Sequence, residues 1–163
     1  MLELVKKITA VFNTAEPQNG ETQSVGPAEA LRESYRQTSN LAEQIHLHAE
    51  KAPYPHVAER LRQIAGEKRS NANRLREKIL GLGERLEEAP RDTKSAKNHW
   101  ERMVQDLSDQ KALENSLLER AALLVEQAPE LAELLRDIVA AQRPHKETLL
   151  DFIARADPQA EQT

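Results

Sequence analysis

Residues 55–79, PHVAERLRQIAGEKRSNANRLREKI, align without a gap on residues 129–153, PELAELLRDIVAAQRPHKETLLDFI. Pro55, Ala58, Glu59, Leu61, Arg62, Ile64, Arg69, Leu75 and Ile79 of the first copy meet identical residues in the second. A proline opens each copy, where its missing N–H is no loss and its fixed φ suits the first turn of a helix. Apolar residues then recur every third or fourth position, the period of one buried helical stripe. Each copy is therefore predicted to be one amphipathic helix, and the repeat marks a duplicated unit.

Each repeated helix has a partner before it. A first helix is predicted over residues 28–52, stopped by Pro53-Tyr54-Pro55, because a proline biases its preceding residue away from helix. The second runs over 55–80 and ends at Gly81-Leu82-Gly83; a connection containing Pro90 reaches to about Asp92. The third is expected over 93–127 and the fourth over 129–156, ending before Pro158. Long helices joined by short turns pair as antiparallel hairpins, so the prediction is an all-α four-helix bundle of two duplicated hairpins spanning 28–156. Residues 157–163 are expected to be a disordered tail.

Composition agrees with one helical domain. The chain has 163 residues, 31% charged and only 3% aromatic, with 5 glycines and no cysteine. Disulfides, thiolate metal sites and cysteine nucleophiles are excluded. The net charge of −4, from 23 basic and 27 acidic side chains mixed along the chain, leaves no basic stripe for a nucleic-acid backbone. No stretch approaches the roughly 20 apolar residues that cross a bilayer, and no secretory signal is legible, so a cytoplasmic protein is expected.

Four stripes can be read at helical spacing. They are Leu31, Tyr35, Thr38, Ala42, Ile45 and Ala49; Val57, Leu61, Ile64, Lys68, Asn71, Leu75 and Ile79; Met103, Leu107, Gln110, Glu114, Leu117, Ala121 and Leu124; and Leu131, Leu135, Ile138, Gln142, His145, Leu149 and Phe152. Polar residues interrupt every stripe near its middle. Either the stripes are misphased and these side chains reach water, or Thr38, Lys68, Asn71, Gln110, Glu114, Gln142 and His145 form a buried polar layer. The layer is favoured, because the interruptions fall on equivalent turns of the duplicated helices. Buried polar groups must then satisfy one another.

The two-hairpin pattern, RLRQIAGEKRSNANRLREKI and its counterpart ELLRDIVAAQRPHKETLLDFI resemble the ferritin-like superfamily, and within it rubrerythrin-type proteins. The resemblance covers most of residues 28–156. It implies a di-iron or di-manganese centre held by one Glu from the first helix of each hairpin and a Glu-x-x-His from the second. Carried over residue by residue, the third helix keeps Glu114 and the fourth has Gln142-x-x-His145. The second has Lys68-x-x-Asn71, and Thr38 stands where the first helix should offer Glu. Only Glu114 and His145 remain as candidate ligands. Glu67 and Glu43 lie off their stripes and do not restore the site. The resemblance thus implies a degenerate centre, with no metal expected and iron or manganese as the alternative. A Lys68–Glu114 ion pair, hydrogen-bonded by Asn71, Gln142 and His145, is expected to fill its space.

No catalytic constellation is complete enough to name a reaction, and the function expected is a non-catalytic binding, accessory or structural subunit that docks on a protein partner through residues 1–12. The alternative is an iron- or manganese-dependent oxidoreductase or iron-handling protein using Glu114 and His145. Residues 1–12 put Leu2, Val5, Ile8 and Phe12 on one face of a short amphipathic helix, and 13–27 have the composition of a flexible linker. That helix could fold back or pair two copies, dock on a protein partner, or lie on a membrane surface; two lysines attract lipid only weakly. A homodimer stays open. His46, His48 and His56 are expected at the surface, His99 beside Trp100 in packing, and Pro144 is expected to kink the fourth helix.

Overall fold

The structure, a computed structural model, describes residues 26–88 and 94–160. The expected amphipathic helix at 1–12 and nearly all of its linker lie outside the described residues. The elements are α1 (Pro27–Glu50), α2 (Pro55–Gly81), α3 (His99–Leu124) and α4 (Pro129–Arg155). Helices α1 and α2 form one antiparallel hairpin and α3 and α4 the other. The connection after α2 leaves the end of the bundle where α1 begins, with Arg32 bonding the Arg85 carbonyl and Glu84. It rejoins the opposite end at α3. The two hairpins are thus joined by one long crossover along the bundle.

Local chemistry sets the ends. Proline occupies the first turn of α1, α2 and α4. Helix α3 starts at His99 rather than at Thr93, because Asn98 caps it by accepting the Glu101 backbone N–H at 2.8 Å. Glu101 in turn accepts the Lys97 N–H. Helix α2 closes with Gly83 at φ 76, whose N–H bonds the Leu80 carbonyl at 3.0 Å. Helix α4 runs on through Pro144. Beyond it, the Pro158 carbonyl accepts a hydrogen bond from Asn98.

The four stripes face a common core. Leu31, Ile45, Leu61, Ile64, Leu75, Ile79, Met103, Leu117, Leu124, Leu135 and Ile138 are fully buried. Misphasing is ruled out, since nearly every stripe position, polar ones included, is buried; only Tyr35, Glu114 and Phe152 keep partial exposure. Lengthwise the core is apolar, polar, then apolar, which places the interruptions in one layer midway along the bundle.

Two glycines separate backbone strain from helix propensity. No atom beyond the local chain lies within 4 Å of a Cβ added at either Gly83 or Gly66, so neither substitution meets a steric clash. Gly83→Ala is expected to destabilise by about 1–2 kcal/mol, the cost of a left-handed non-glycine residue. Gly66→Ala, on the exposed face of α2, should stabilise by about 0.5–1 kcal/mol. Urea denaturation of both variants checks the opposite signs.

Candidate functional site

The mid-bundle layer is organised by Lys68 on α2. Its side chain is 0% exposed. The ammonium donates to the side-chain carbonyl oxygens of Gln110 on α3 and of Gln142 on α4, the latter at 2.9 Å. Gln110 donates through Nε2 to Gln142 Oε1 at 3.0 Å and to Glu114 Oε1 at 3.4 Å. The three fully buried side chains therefore form a closed triangle of α2, α3 and α4. Burial pushes the Lys68 pKa down to about 7, against the opposing pull of Glu114, Asp106 and Glu67.

Glu114 and Lys68 do not form the expected ion pair. Glu114 Oε2 instead accepts from Lys146, one residue beyond His145, at 3.0 Å. Its side chain keeps 13% exposure, so this pair sits at the layer's edge and retains some hydration. His145 does not reach the lysine either: its Nε2 lies 2.5 Å from Glu67 Oε2. Burial and the nearby Lys68 charge lower the His145 pKa. With Nε2 facing the Glu67 carboxylate, Nδ1 is buried and has no hydrogen-bond partner among the described residues. The Gln142 amide nitrogen is likewise buried without a partner among the described residues. Thr38 turns its hydroxyl back onto the Ser34 carbonyl of its own helix at 2.7 Å. Asn71 is buried on the α2 stripe.

Glu67 and Lys146 enter the site from positions that stripe reading leaves outside. Glu67 is 48% exposed, yet its side chain extends across the α2–α4 seam. The same seam is bridged by Arg74 to Asp137 and Lys78 to Glu130, each at 3.9 Å. These pairs follow the antiparallel register of the two helices.

A second polar cluster lies nearer the α1–α2 turn. The buried Asp106 carboxylate faces His48 Nδ1 at 2.8 Å and accepts from Gln44 at 2.8 Å. Gln44 also bonds Asp109, which receives Lys94. His48 is thus buried rather than at the surface as expected, because Asp106 offers it a partner inside the bundle. His99 is buried nearby, and Arg102 bonds the Lys51 carbonyl. Asp106 could have been noticed one turn before Gln110 on the same helix, at the stripe's edge.

The layer does not suit a pair of hard divalent cations. Such ions need anionic oxygen. The two central carbonyl oxygens are neutral and already face an ammonium, and the carboxylates of Glu114 and Glu67 are engaged by Lys146 and His145. Glu114 is thus held by Lys146 and Glu67 by His145, while the Lys68 ammonium is met by neutral carbonyls. Among the described residues no group of three or more His, Asp or Glu side chains is arranged to hold a metal.

A family model described as a ferritin-like domain matches residues 30–157. No curated protein sequence matches the chain significantly. Among solved structures, the chain is similar in fold to Dps from Thermosynechococcus elongatus, with a TM-score of 0.66 and 14% identity over 86% of this chain and 100% of that one. No described helix is long and apolar enough to cross a membrane.

Burial raises the Asp106 pKa above its ordinary 3.8, with His48 and Gln44 opposing the shift. The folded protein therefore holds this proton to higher pH than the unfolded chain. Stability from this group is greatest below the unfolded value and falls as pH rises through the folded one. Relative to Asp106→Asn, the wild type should lose stability between about pH 4 and about pH 7. Urea midpoints of both proteins at the two pH values check the sign.

Proposed function

The chain belongs to the ferritin-like family, and we propose that it is a member in which a lysine ammonium has taken the place of the metal centre, so that it works by binding rather than by redox chemistry. The observation that carries this reading is Lys68, fully buried and donating to Gln110 and Gln142 where the family's Glu-x-x-His pairs would converge. An ammonium brings one positive charge and three donors, and two neutral carbonyls answer it without a carboxylate at the centre. In this reading the bundle is a scaffold in the cytoplasm, and residues 1–12 dock it on a protein partner through Leu2, Val5, Ile8 and Phe12.

Family membership by itself favours a second reading, an iron- or manganese-dependent oxidoreductase or iron-handling protein with a reduced site at Glu114 and His145. Against it stand the partners of those two residues, Lys146 and Glu67. Anaerobic equilibrium dialysis against ferrous or manganous ion separates the two. Wild type is expected to bind well below one ion per chain. The variant combining Thr38→Glu, Lys68→Glu, Asn71→His and Gln142→Glu rebuilds the six-ligand pattern around Glu114 and His145 and is expected to gain metal. Stoichiometric metal in the wild type, lost in Glu114→Ala, would establish the second reading instead.

Docking is checked separately, by affinity purification with and without residues 1–14. A partner retained only by the full chain is expected; identical partner sets would refute the docking role.

A further inference from the structure

Four helix ends meet where the chain enters the bundle. Arg32 of α1 bonds Glu84 just past α2, Arg120 of α3 bonds Ser34 and Gln37 of α1, and Lys78 of α2 lies 3.9 Å from Glu130 of α4. The start of α1, the end of α2, the end of α3 and the start of α4 therefore share one end. Of the seven large apolar side chains exposed among the described residues, four stand there: Leu80, Leu82, Leu123 and Val125. Leu123, at 69%, is the most exposed of the seven. A single exposed leucine is ordinary, but a concentration of apolar side chains at one place marks an interaction site.

The layout of the chain names the occupant. Residues 1–12 carry Leu2, Val5, Ile8 and Phe12 at helical spacing, and residues 13–25 join them to α1 at this same end. A linker of that length spans roughly 20 Å on average, whereas α2, with 27 residues, is about 40 Å long. The tether thus keeps the segment near this end and away from the opposite one, at an effective concentration on the order of millimolar. Helices α2 and α3 lie diagonally across the bundle, each packed on α1 and α4. At interaxial distances of about 10 Å that diagonal is about 14 Å, and a helix of twelve residues is about 18 Å long. One such helix laid over the end reaches both Leu82 and Val125. Charge fits as well: Glu126, Glu130 and Glu133 are exposed about the α3–α4 turn, and residues 1–12 bring Lys6 and Lys7 with a single acid, Glu3.

From this placement we infer that residues 1–12 dock back on the end of their own bundle, with Leu2, Val5, Ile8 and Phe12 over Leu82, Leu123 and Val125. The inference rests on the reading of residues 1–12 as a docking helix and adds its regulation. The face offered to a protein partner is covered until the partner displaces it. Because the resting contact is intramolecular, it holds at modest affinity, and a partner succeeds only by binding the segment more tightly than the bundle end does.

Paramagnetic relaxation enhancement in the full chain tests this. The chain has no cysteine, so Glu126→Cys gives one nitroxide attachment point at the proposed site and Lys51→Cys one at the opposite end, both at exposed positions. The expected result is loss of amide signal intensity over residues 2–12 with the label at 126 and full intensity with the label at 51. The loss should disappear when Leu123→Ser and Val125→Ser are added to Glu126→Cys. Ile8→Ser with Phe12→Ser makes the same test from the segment's side and leaves the bundle untouched. Full intensity in the 126-labelled chain overturns the inference, and so does a loss that survives both pairs of serine substitutions. Mixing isotope-labelled chain with spin-labelled chain of natural isotopes should give no loss; a loss there assigns the contact to a second copy and overturns it too. All spectra are taken without a partner, so failure here leaves docking on a protein partner standing. Identical partner sets with and without residues 1–14 would in turn leave this contact standing.

Discussion

The burial of one ammonium constrains the rest of the bundle. Moving a charge from water into a protein core costs several kcal/mol even after relaxation, and Lys68 lies at mid-height, where it cannot extend to either end. Its neighbours are arranged to meet that cost. Two amide oxygens accept its protons from different helices, and carboxylates on α2 and α3 pull on the charge from further out. Sliding α3 or α4 by one turn would remove an acceptor and leave the charge without it. The layer therefore fixes the register of both helices against α2, which an apolar core of Leu and Ile specifies only loosely.

The duplication makes this arrangement intelligible. Lys68 and Gln142 occupy equivalent positions in the two copies, as do Asn71 and His145. In the family pattern both pairs would be Glu-x-x-His and would face the same ions. Here the copies have become complementary: one contributes a donor cation and the other an acceptor for it. The carboxylates that persist near the layer have moved to its edge, where Glu114 meets Lys146 and Glu67 meets His145. Without an ion to neutralise, a central carboxylate would itself be an uncompensated charge, so the metal-free reading proposed for this chain accords with a centre that holds no carboxylate.

Helical periodicity made the polar layer legible, because a stripe is a statement about Cβ direction and that direction is set by the backbone. It failed where side-chain length matters more than direction. Glu67 and Lys146 leave the backbone off the stripe, and their flexible stems carry the charged ends back across a seam. For the same reason the Lys68–Glu114 pair was not realised: equal height on facing stripes says nothing about a closer ammonium at the rim. His48 and Asp106 escaped because each is unremarkable on its own helix and their pairing is a property of how α1 lies on α3. Helix α3 starts later than its distance from Pro90 suggests because Asn98 with Glu101 is the stronger local signal.

An ammonium is also a poorer junction than a metal centre. It has three donors, whereas the family's pair of ions draws ligands from all four helices. Lys68 links α2 to α3 and α4, and α1 is left out: Thr38, its representative at this height, bonds only its own backbone. Helix α1 must be joined to the second hairpin by other means. That is the place of the second polar cluster, where Gln44 and His48 of α1 both engage Asp106 of α3, and of Arg120, which bonds Ser34 and Gln37 further along the same seam. Two smaller polar junctions at different heights thus join the four helices. Asp106 thus holds α1 to α3 while Lys68 joins α2 to α3 and α4, and the Coulombic pull of Asp106 on Lys68 links the two.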